Sequence, residues 1–194
     1  DITAEIGDFI YPSEVNMPTY KPTINYNKRQ LKKAMEAISN AKKPLLYVGG
    51  GSVLSNCSFE IRELAKKLNI PAVETLMARG VMGDENPLFF GMLGMHGEFA
   101  ANMAAHETDL LISLGARFDD RVTGRLDEFA SKAKVIHVDI DPTSIAKLVV
   151  PDYPIVGDLK ITVKAMIEAI ENGENEFNDY SNWVELLRDY REKE

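Results

Sequence analysis

The chain has 194 residues, 45% of them hydrophobic, which suits one α/β domain with a sizeable core plus some tail. A net charge of -8 argues against a nucleic-acid partner, because phosphate binding needs a basic face and Lys42–Lys43 and Lys66–Lys67 sit at helix ends near acids. The single cysteine, Cys57, excludes an intrachain disulfide or a cysteine-rich zinc site and points to a reducing, cytoplasmic-type compartment, while no apolar run approaches the roughly 20 residues that span a bilayer.

From Asp1 to Asn25 the prolines at 12, 18 and 22 and the lack of periodicity predict an extended linker. The start at Asp1 rather than Met, with no signal-peptide pattern, is what a piece of something longer would have. Asn27 can cap a helix whose apolar residues Leu31, Ala34, Met35, Ile38 and Ala41 follow helical spacing until Pro44. Leu45 to Val48 is a strand that runs into Gly49-Gly50-Gly51, and a second helix follows with Ile61, Leu64, Ala65 and Leu68 on one face. Strand, glycine turn and helix open a βαβ unit.

The alternation continues through a strand at Pro71–Thr75, a third strand region before Gly94, a helix at Glu98–His106 and a strand at Asp109–Leu114. Lys134 to Asp139 is another strand, with Pro142 marking where a helix can begin, and Tyr153 to Val156 leads through Gly157-Asp158 into a helix carrying Ile161, Val163, Met166, Ile167 and Ile170. Apolar, non-alternating strands separated by helices predict a doubly wound, Rossmann-like parallel sheet of about six strands, covered on both faces. The domain is expected at 26–172, followed by a polar linker and the start of a C-terminal helix over 173–194. That helix carries Trp183, Leu186, Leu187 and Tyr190 and has little apparent partner in what precedes it.

The charge-dense run Leu114-Gly-Ala-Arg-Phe-Asp-Asp-Arg-Val-Thr-Gly124 breaks abruptly from a buried strand. Ligands of open parallel sheets bind at the carboxyl ends of the strands, so Arg117 and Arg121 are anion candidates whose forks can grip a phosphate or carboxylate. Asp119 and Asp120 can equally neutralise them in a solvated turn. Gly49-Gly50-Gly51 can bring backbone N–H groups to a phosphate or can simply make a tight turn. Asp139 ends a strand where a carboxylate can receive a ribose, and Asp141 is alternatively a helix cap. His96, His106 and His137 have no metal-ligand spacing and no neighbouring nucleophile; His137, within a strand, reads as a core histidine. Met77, Met82, Met92, Met95 and Met103 read as core or pocket lining rather than a metal set. The residues therefore point to a dinucleotide-type binding domain with no visible catalytic apparatus and no metal site.

Val48-Gly-Gly-Gly51, Thr75-Leu-Met-Ala-Arg-Gly80, Gly91-Met-Leu-Gly-Met-His-Gly97, Gly115-Ala-Arg-Phe-Asp-Asp-Arg-Val-Thr-Gly124 and His137-Val-Asp-Ile-Asp-Pro142 occur together in this order. In this the chain, over about residues 20–172, closely resembles the central domain of the acetolactate synthase family of thiamine-diphosphate enzymes. The resemblance implies an FAD bound in extended pose, doing no net redox work in the main reaction. Gly49, Gly50, Gly51, Thr75, Leu76, Met77, Leu93, Gly94, Met95, His96, Gly115, Ala116, Arg117, Asp119, Arg121, Asp139, Ile140, Asp158 and Leu159 would contact it.

By the same resemblance, Met95 and Arg121 would reach the active-site entrance, Arg121 would hold the carboxylate of the second 2-oxo acid, and Asp120 would steady it. Family members join pyruvate to a second pyruvate or to 2-oxobutanoate with loss of CO2, in branched-chain amino-acid biosynthesis. Thiamine diphosphate and Mg2+ would belong to flanking domains of the same polypeptide. A catalytic glutamate would precede this chain and a Gly-Asp-Gly motif would follow it, since Gly157-Asp158-Leu159 lacks the third glycine. The chain alone is then expected to be inactive. A homodimer or homotetramer and a small regulatory subunit are implied for the whole enzyme. The residues by themselves leave open an ADP- or NAD-binding middle domain of a related carboligase or oxidase, a stand-alone NAD-binding oxidoreductase domain, or a spacer that binds nothing.

Overall fold

A computed structural model describes residues 6–8, 10–14 and 22–193. Much of the linker expected over 1–25 lies outside the described residues. Helix α1 (Lys28–Asn40) begins as expected on Asn27, whose Oδ1 accepts from the Arg29 and Gln30 amides at 2.9 and 3.3 Å, and it buries Leu31, Ala34, Met35 and Ile38. Strand β1 (Pro44–Val48) follows, then two helical pieces instead of one, α2 (Gly51–Leu54) and α3 (Ser58–Leu68). Helix α3 ends on Asn69 in the left-handed region, with Lys66 and Lys67 in its last turn.

The remaining elements are β2 (Ala72–Glu74), β3 (Phe89–Met92), α4 (Phe99–Glu107), β4 (Leu110–Leu114), α5 (Asp120–Thr123), β5 (Lys134–Asp139), β6 (Tyr153–Val156), α6 (Leu159–Glu171) and α7 (Ser181–Arg191). The six strands form one all-parallel sheet in the order β3-β2-β1-β4-β5-β6. Alternate strand residues point to opposite faces, and every residue of β1 and β4 is buried, so both faces of the sheet centre are covered. Helices α1, α2 and α3 contact α6, whereas α4 contacts α7. Pro154 sits in β6 at the sheet edge, where a missing N–H costs no ladder bond to a further strand. No helix of the described residues is long and apolar enough to cross a membrane.

Two further expectations fail. No helix begins at Pro142: the Asp141 carboxylate accepts from the Thr143 amide and hydroxyl and from Ser144 Oγ, and the chain over 142–150 runs in turns. The C-terminal helix does have a partner in the domain, because α7 buries Trp183, Val184 and Leu187 and packs on α4. Trp183 Nε1 donates to the Pro44 carbonyl at 2.9 Å, Tyr180 Oη to Ile38 at 2.7 Å and Asn178 Nδ2 to Ala41 at 2.8 Å. The segment thus closes the amino-terminal edge of β1.

Candidate functional site

The strand order reverses between β1 and β4, so the loops that follow these two strands leave the sheet in opposite directions at its centre. They touch directly. Gly49 N donates to Leu114 O and Gly51 N to Gly115 O, both at 3.0 Å. A Cβ on Gly49 would lie 2.3 Å from Gly115 O and 2.4 Å from Ala116 Cα, so only glycine permits this approach. Close packing of the two loops therefore accounts for Gly49 and Gly51. Gly50 is less confined, its added Cβ meeting the Met77 side chain at 3.0 Å.

Every residue expected to contact a ligand lies at or just past the carboxyl end of a strand. Gly49–Gly51 follow β1, Thr75–Met77 follow β2, Leu93–His96 follow β3, Gly115–Arg121 follow β4, Ile140 follows β5 behind its last residue Asp139, and Asp158–Leu159 follow β6. Six chain segments are thereby brought to one edge. Their exposure divides them sharply: Leu76, Met77 and Met95 are 71%, 74% and 65% exposed, with Ile140, His96, Arg117 and Arg121 also open to solvent. Gly49, Leu93, Gly94, Ala116 and Leu159 are buried beneath them. Large apolar side chains left open beside guanidinium groups form a surface suited to a flat, partly apolar anion. Thr75 Oγ1 is buried at this edge with no hydrogen-bond partner among the described residues.

The loop after β4 is held by what it buries. Gly115 and Phe118 both have left-handed backbone, φ +67 and +57, and the Phe118 ring is buried against His137, Tyr47 and Phe129 at centroid distances of 5.0, 5.6 and 6.1 Å. A bulky residue adopts that backbone only where packing enforces it. With Phe118 facing inward, its neighbours Arg117 and Asp119 are left exposed. The Asp119 carboxylate then caps α5, accepting from Arg121 N at 3.3 Å. Its pKa is held below the ordinary value, first by a hydrogen bond shared with the Asp120 carboxyl, then by the Arg121 amide, with Arg117 and Arg121 adding their charge.

Internal Arg–Asp neutralisation goes only a short way. Arg117 approaches Asp119 to 3.9 Å with both side chains largely exposed, an arrangement worth little in water. Among the described residues the Arg121 guanidinium has no ion pair, and Asp120 forms none with it. His137 is the core histidine expected from its place in β5: it is fully buried, and burial lowers its pKa against the opposing pull of Asp139 and of its bond to Ala116 O. The Asp139 carboxylate accepts from the Asp141 amide at 2.9 Å. That of Asp158 caps α6 through Ile161 N at 3.0 Å and accepts from Ser55 Oγ at 2.8 Å.

Three supporting residues gave no signal in the sequence. The buried Glu74 carboxylate at the end of β2 accepts from the Gly80 and Met82 amides and so ties down the turn carrying Leu76 and Met77. Burial raises its pKa against those two bonds. Asn102 of α4 clasps Gly94, Oδ1 accepting from its amide at 3.2 Å and Nδ2 donating to its carbonyl at 3.1 Å. Glu98, the residue just before α4, accepts from Met92 N. Met95 N in turn donates to Arg121 O at 3.1 Å, and a Cβ on Gly94, at φ +123, would lie 2.8 Å from that same oxygen. Met95 and Arg121 are thus joined through the backbone. No cluster of His, Cys, Asp or Glu suited to a metal occurs among the described residues. A concavity lined by Lys33, Asn40, Asp109, Lys132 and Tyr153 lies at the opposite edge of the sheet and holds none of these residues.

The family model for the thiamine pyrophosphate enzyme, central domain, matches residues 31–166, which contain the whole sheet and all six site segments. The chain belongs to this central-domain family. Similar relatives include an acetolactate synthase large subunit of Cyanidium caldarium, 42% identical over 100% of this chain and 35% of its own length. Another, from Haemophilus influenzae, is 42% identical over 94% of the chain and 32% of its own length. An acetolactate synthase of Mycobacterium avium is 47% identical over 93% of the chain and 29% of its own length. This central domain spans about a third of the length of these curated relatives.

Proposed function

We propose that this chain is the central domain of an acetolactate synthase large subunit and that its carboxyl-terminal sheet edge binds FAD and forms one wall of the active site. The observation that carries the reading is the edge itself, where Leu76, Met77, Met95 and Ile140 are exposed beside Arg117 and Arg121 and Thr75 Oγ1 lacks a partner among the described residues. Apolar side chains suit a flavin ring, and the guanidinium groups and Thr75 hydroxyl suit phosphate and ribose oxygens. Arg121, without an ion pair among the described residues, is the candidate for the carboxylate of the second 2-oxo acid. Its backbone link to Met95 would let flavin and substrate contacts adjust together.

Flanking domains of the same polypeptide would hold thiamine diphosphate and Mg2+, and the assembled enzyme would be a cytoplasmic homodimer or homotetramer with a small regulatory subunit. Thiamine diphosphate supplies the decarboxylation and carbon–carbon bond formation when bound. This domain's part is to position FAD and receive the acceptor carboxylate, so the 194-residue chain alone should form no acetolactate. FAD, NAD and ADP titrations of the chain and of the full-length polypeptide, followed by acetolactate formation from pyruvate, test this. The expected result is flavin selectivity, with activity confined to the longer protein. Tight NAD binding, or robust synthesis by the chain alone, would overturn it.

A further inference from the structure

The registers of β1, β4 and β5 place Tyr47 opposite Ser113 and Ser113 opposite His137, a row of three polar residues across the sheet, each fully buried. They lie one position before the final register pairs Val48–Leu114 and Leu114–Val138, directly beneath the Gly115–Arg121 loop. Two of the row address one atom: His137 Nε2 sits 3.0 Å from Ala116 O and Ser113 Oγ 3.5 Å from it. A carbonyl only accepts, so Nε2 carries the ring proton. Nδ1 is buried with no partner among the described residues, as is Tyr47 Oη. A ring with one nitrogen left unsatisfied is held by its other nitrogen and by the edge-on contact with Phe118. Burial lowers the ring's pKa and so favours its neutral form.

We propose that His137 is a positioning residue for the ligand-facing loop, acting through its Nε2–H on the Ala116 carbonyl. Ala116 stands between the two left-handed residues, Gly115 and Phe118, and immediately before Arg117, so fixing its carbonyl fixes the turn that presents Arg117 and starts α5 at Asp119. The loop's relevance to a ligand rests on the function proposed above; the positioning itself does not.

Three variants separate the roles. Gln in place of His137 keeps a donor at the position of Nε2, Asn offers one only at that of Nδ1, and Phe keeps the ring volume without a donor. Native-state trypsin cleavage of the full chain reads the loop, because the Arg117–Phe118 bond is protected by burial of Phe118, whereas the exposed Arg125–Leu126 bond serves as internal reference. His137→Asn and His137→Phe should raise cleavage at Arg117 relative to Arg125 by about tenfold, the loss of a hydrogen bond at the upper end of its usual strength, while His137→Gln restores protection. Nitrogen-15 NMR of the unmodified chain should find Nε2 protonated and Nδ1 bare.

A protonated Nδ1, equal cleavage in the Gln and Asn variants, or a uniform rise at every Lys and Arg site would overturn the proposal. FAD affinity in the full-length polypeptide supplies the separate arm. Loss of affinity in the Asn and Phe variants alone is expected. Unchanged affinity with a loosened loop would remove the flavin reading of this loop and leave the positioning role standing.

Discussion

Phe118 is the sharpest place to test how the site loop is held, because packing and backbone oppose each other there. Truncating a fully buried phenylalanine to alanine costs about 3–5 kcal/mol, and Phe118 touches three other rings. Its φ of +57 adds a conformational cost of roughly 1–2 kcal/mol that alanine keeps and glycine escapes. Glycine gives back about 0.4–1 kcal/mol through its freer unfolded chain. Phe118→Gly should therefore be more stable than Phe118→Ala by about 0.5–1 kcal/mol, the reverse of the usual order for these two residues. For a chain of this size about 1 kcal/mol moves the melting midpoint by roughly 2–4 °C, so the alanine variant should melt about 10 °C below the parent and the glycine variant about 2 °C above the alanine one. Urea unfolding followed by circular dichroism, with equal slopes for all three proteins, measures the differences. An alanine variant within about 1 kcal/mol of the parent would show that the ring does not anchor the loop, on the scale set by buried phenylalanines. A glycine variant below the alanine one would remove the backbone argument.

Three further outcomes follow from the same geometry. Gly49→Ala should cost several-fold more stability than Gly50→Ala, because its Cβ meets backbone at 2.3 Å where Gly50's meets the Met77 Cβ at 3.0 Å, a contact that a shift of a few tenths of an ångström relieves; soluble yield and melting midpoint decide it, and equal losses would contradict the close-approach account. Trp183→Ala should destabilise the whole chain by about 3–5 kcal/mol in one cooperative transition, whereas a loosely attached α7 would leave the main midpoint unmoved. For pH, the lowered folded pKa of His137 means that below about 6.5 the unfolded chain takes up a proton that the fold resists, so stability falls with acidification below pH 6.5 by at most about 1.4 kcal/mol per unit. Asp139, 3.9 Å from Nε2, softens this by favouring the charged ring, and the carboxylates with lowered pKa, Glu107, Asp119, Asp141 and Asp179, add losses only at lower pH. His137→Gln should flatten that window, and an unaltered slope would mean another group titrates there.

The elements readable from the sequence were those whose cause is local. Asn27 caps its own helix, and the apolar runs of β1 and β4 carry their burial in their composition. Where the cause is distant, the pattern is silent or misleading. The face of α7 looks unpartnered because its acceptors, the carbonyls of Ile38, Ala41 and Pro44, lie more than 130 positions earlier in the chain. The helix expected at Pro142 has a good first residue, but Asp141 spends its carboxylate on Thr143 and Ser144, a turn that competes with helix propagation. Strand β3 could be placed only as a region before Gly94, since Phe-Phe-Gly-Met is short and Gly91 is left-handed at φ +103, filled from above by the Glu98 side chain.

The same division runs through the site. Arg117, Asp119, Asp120 and Arg121 are visible as a burst of charge after a buried strand because all four side chains stay exposed to water. The groups that aim them are buried, and burial makes them resemble core: His137 reads as a core histidine and Phe118 as one more apolar residue, while Glu74 and Asn102 belong to no motif. Only the register that sets Tyr47, Ser113 and His137 side by side, and the contact of Gly49 with Gly115, convert these scattered positions into a single support. The β1 and β4 loops share backbone hydrogen bonds, the β4 loop is bonded to the β3 loop through Met95 and Arg121, and Ser55 ties the segment after β1 to the cap of α6. A displacement of any one segment of this edge therefore has to be accommodated by its neighbours. That mechanical coupling is what the proposed function would require, with an extended flavin held along this edge and Arg121 directed at a second molecule.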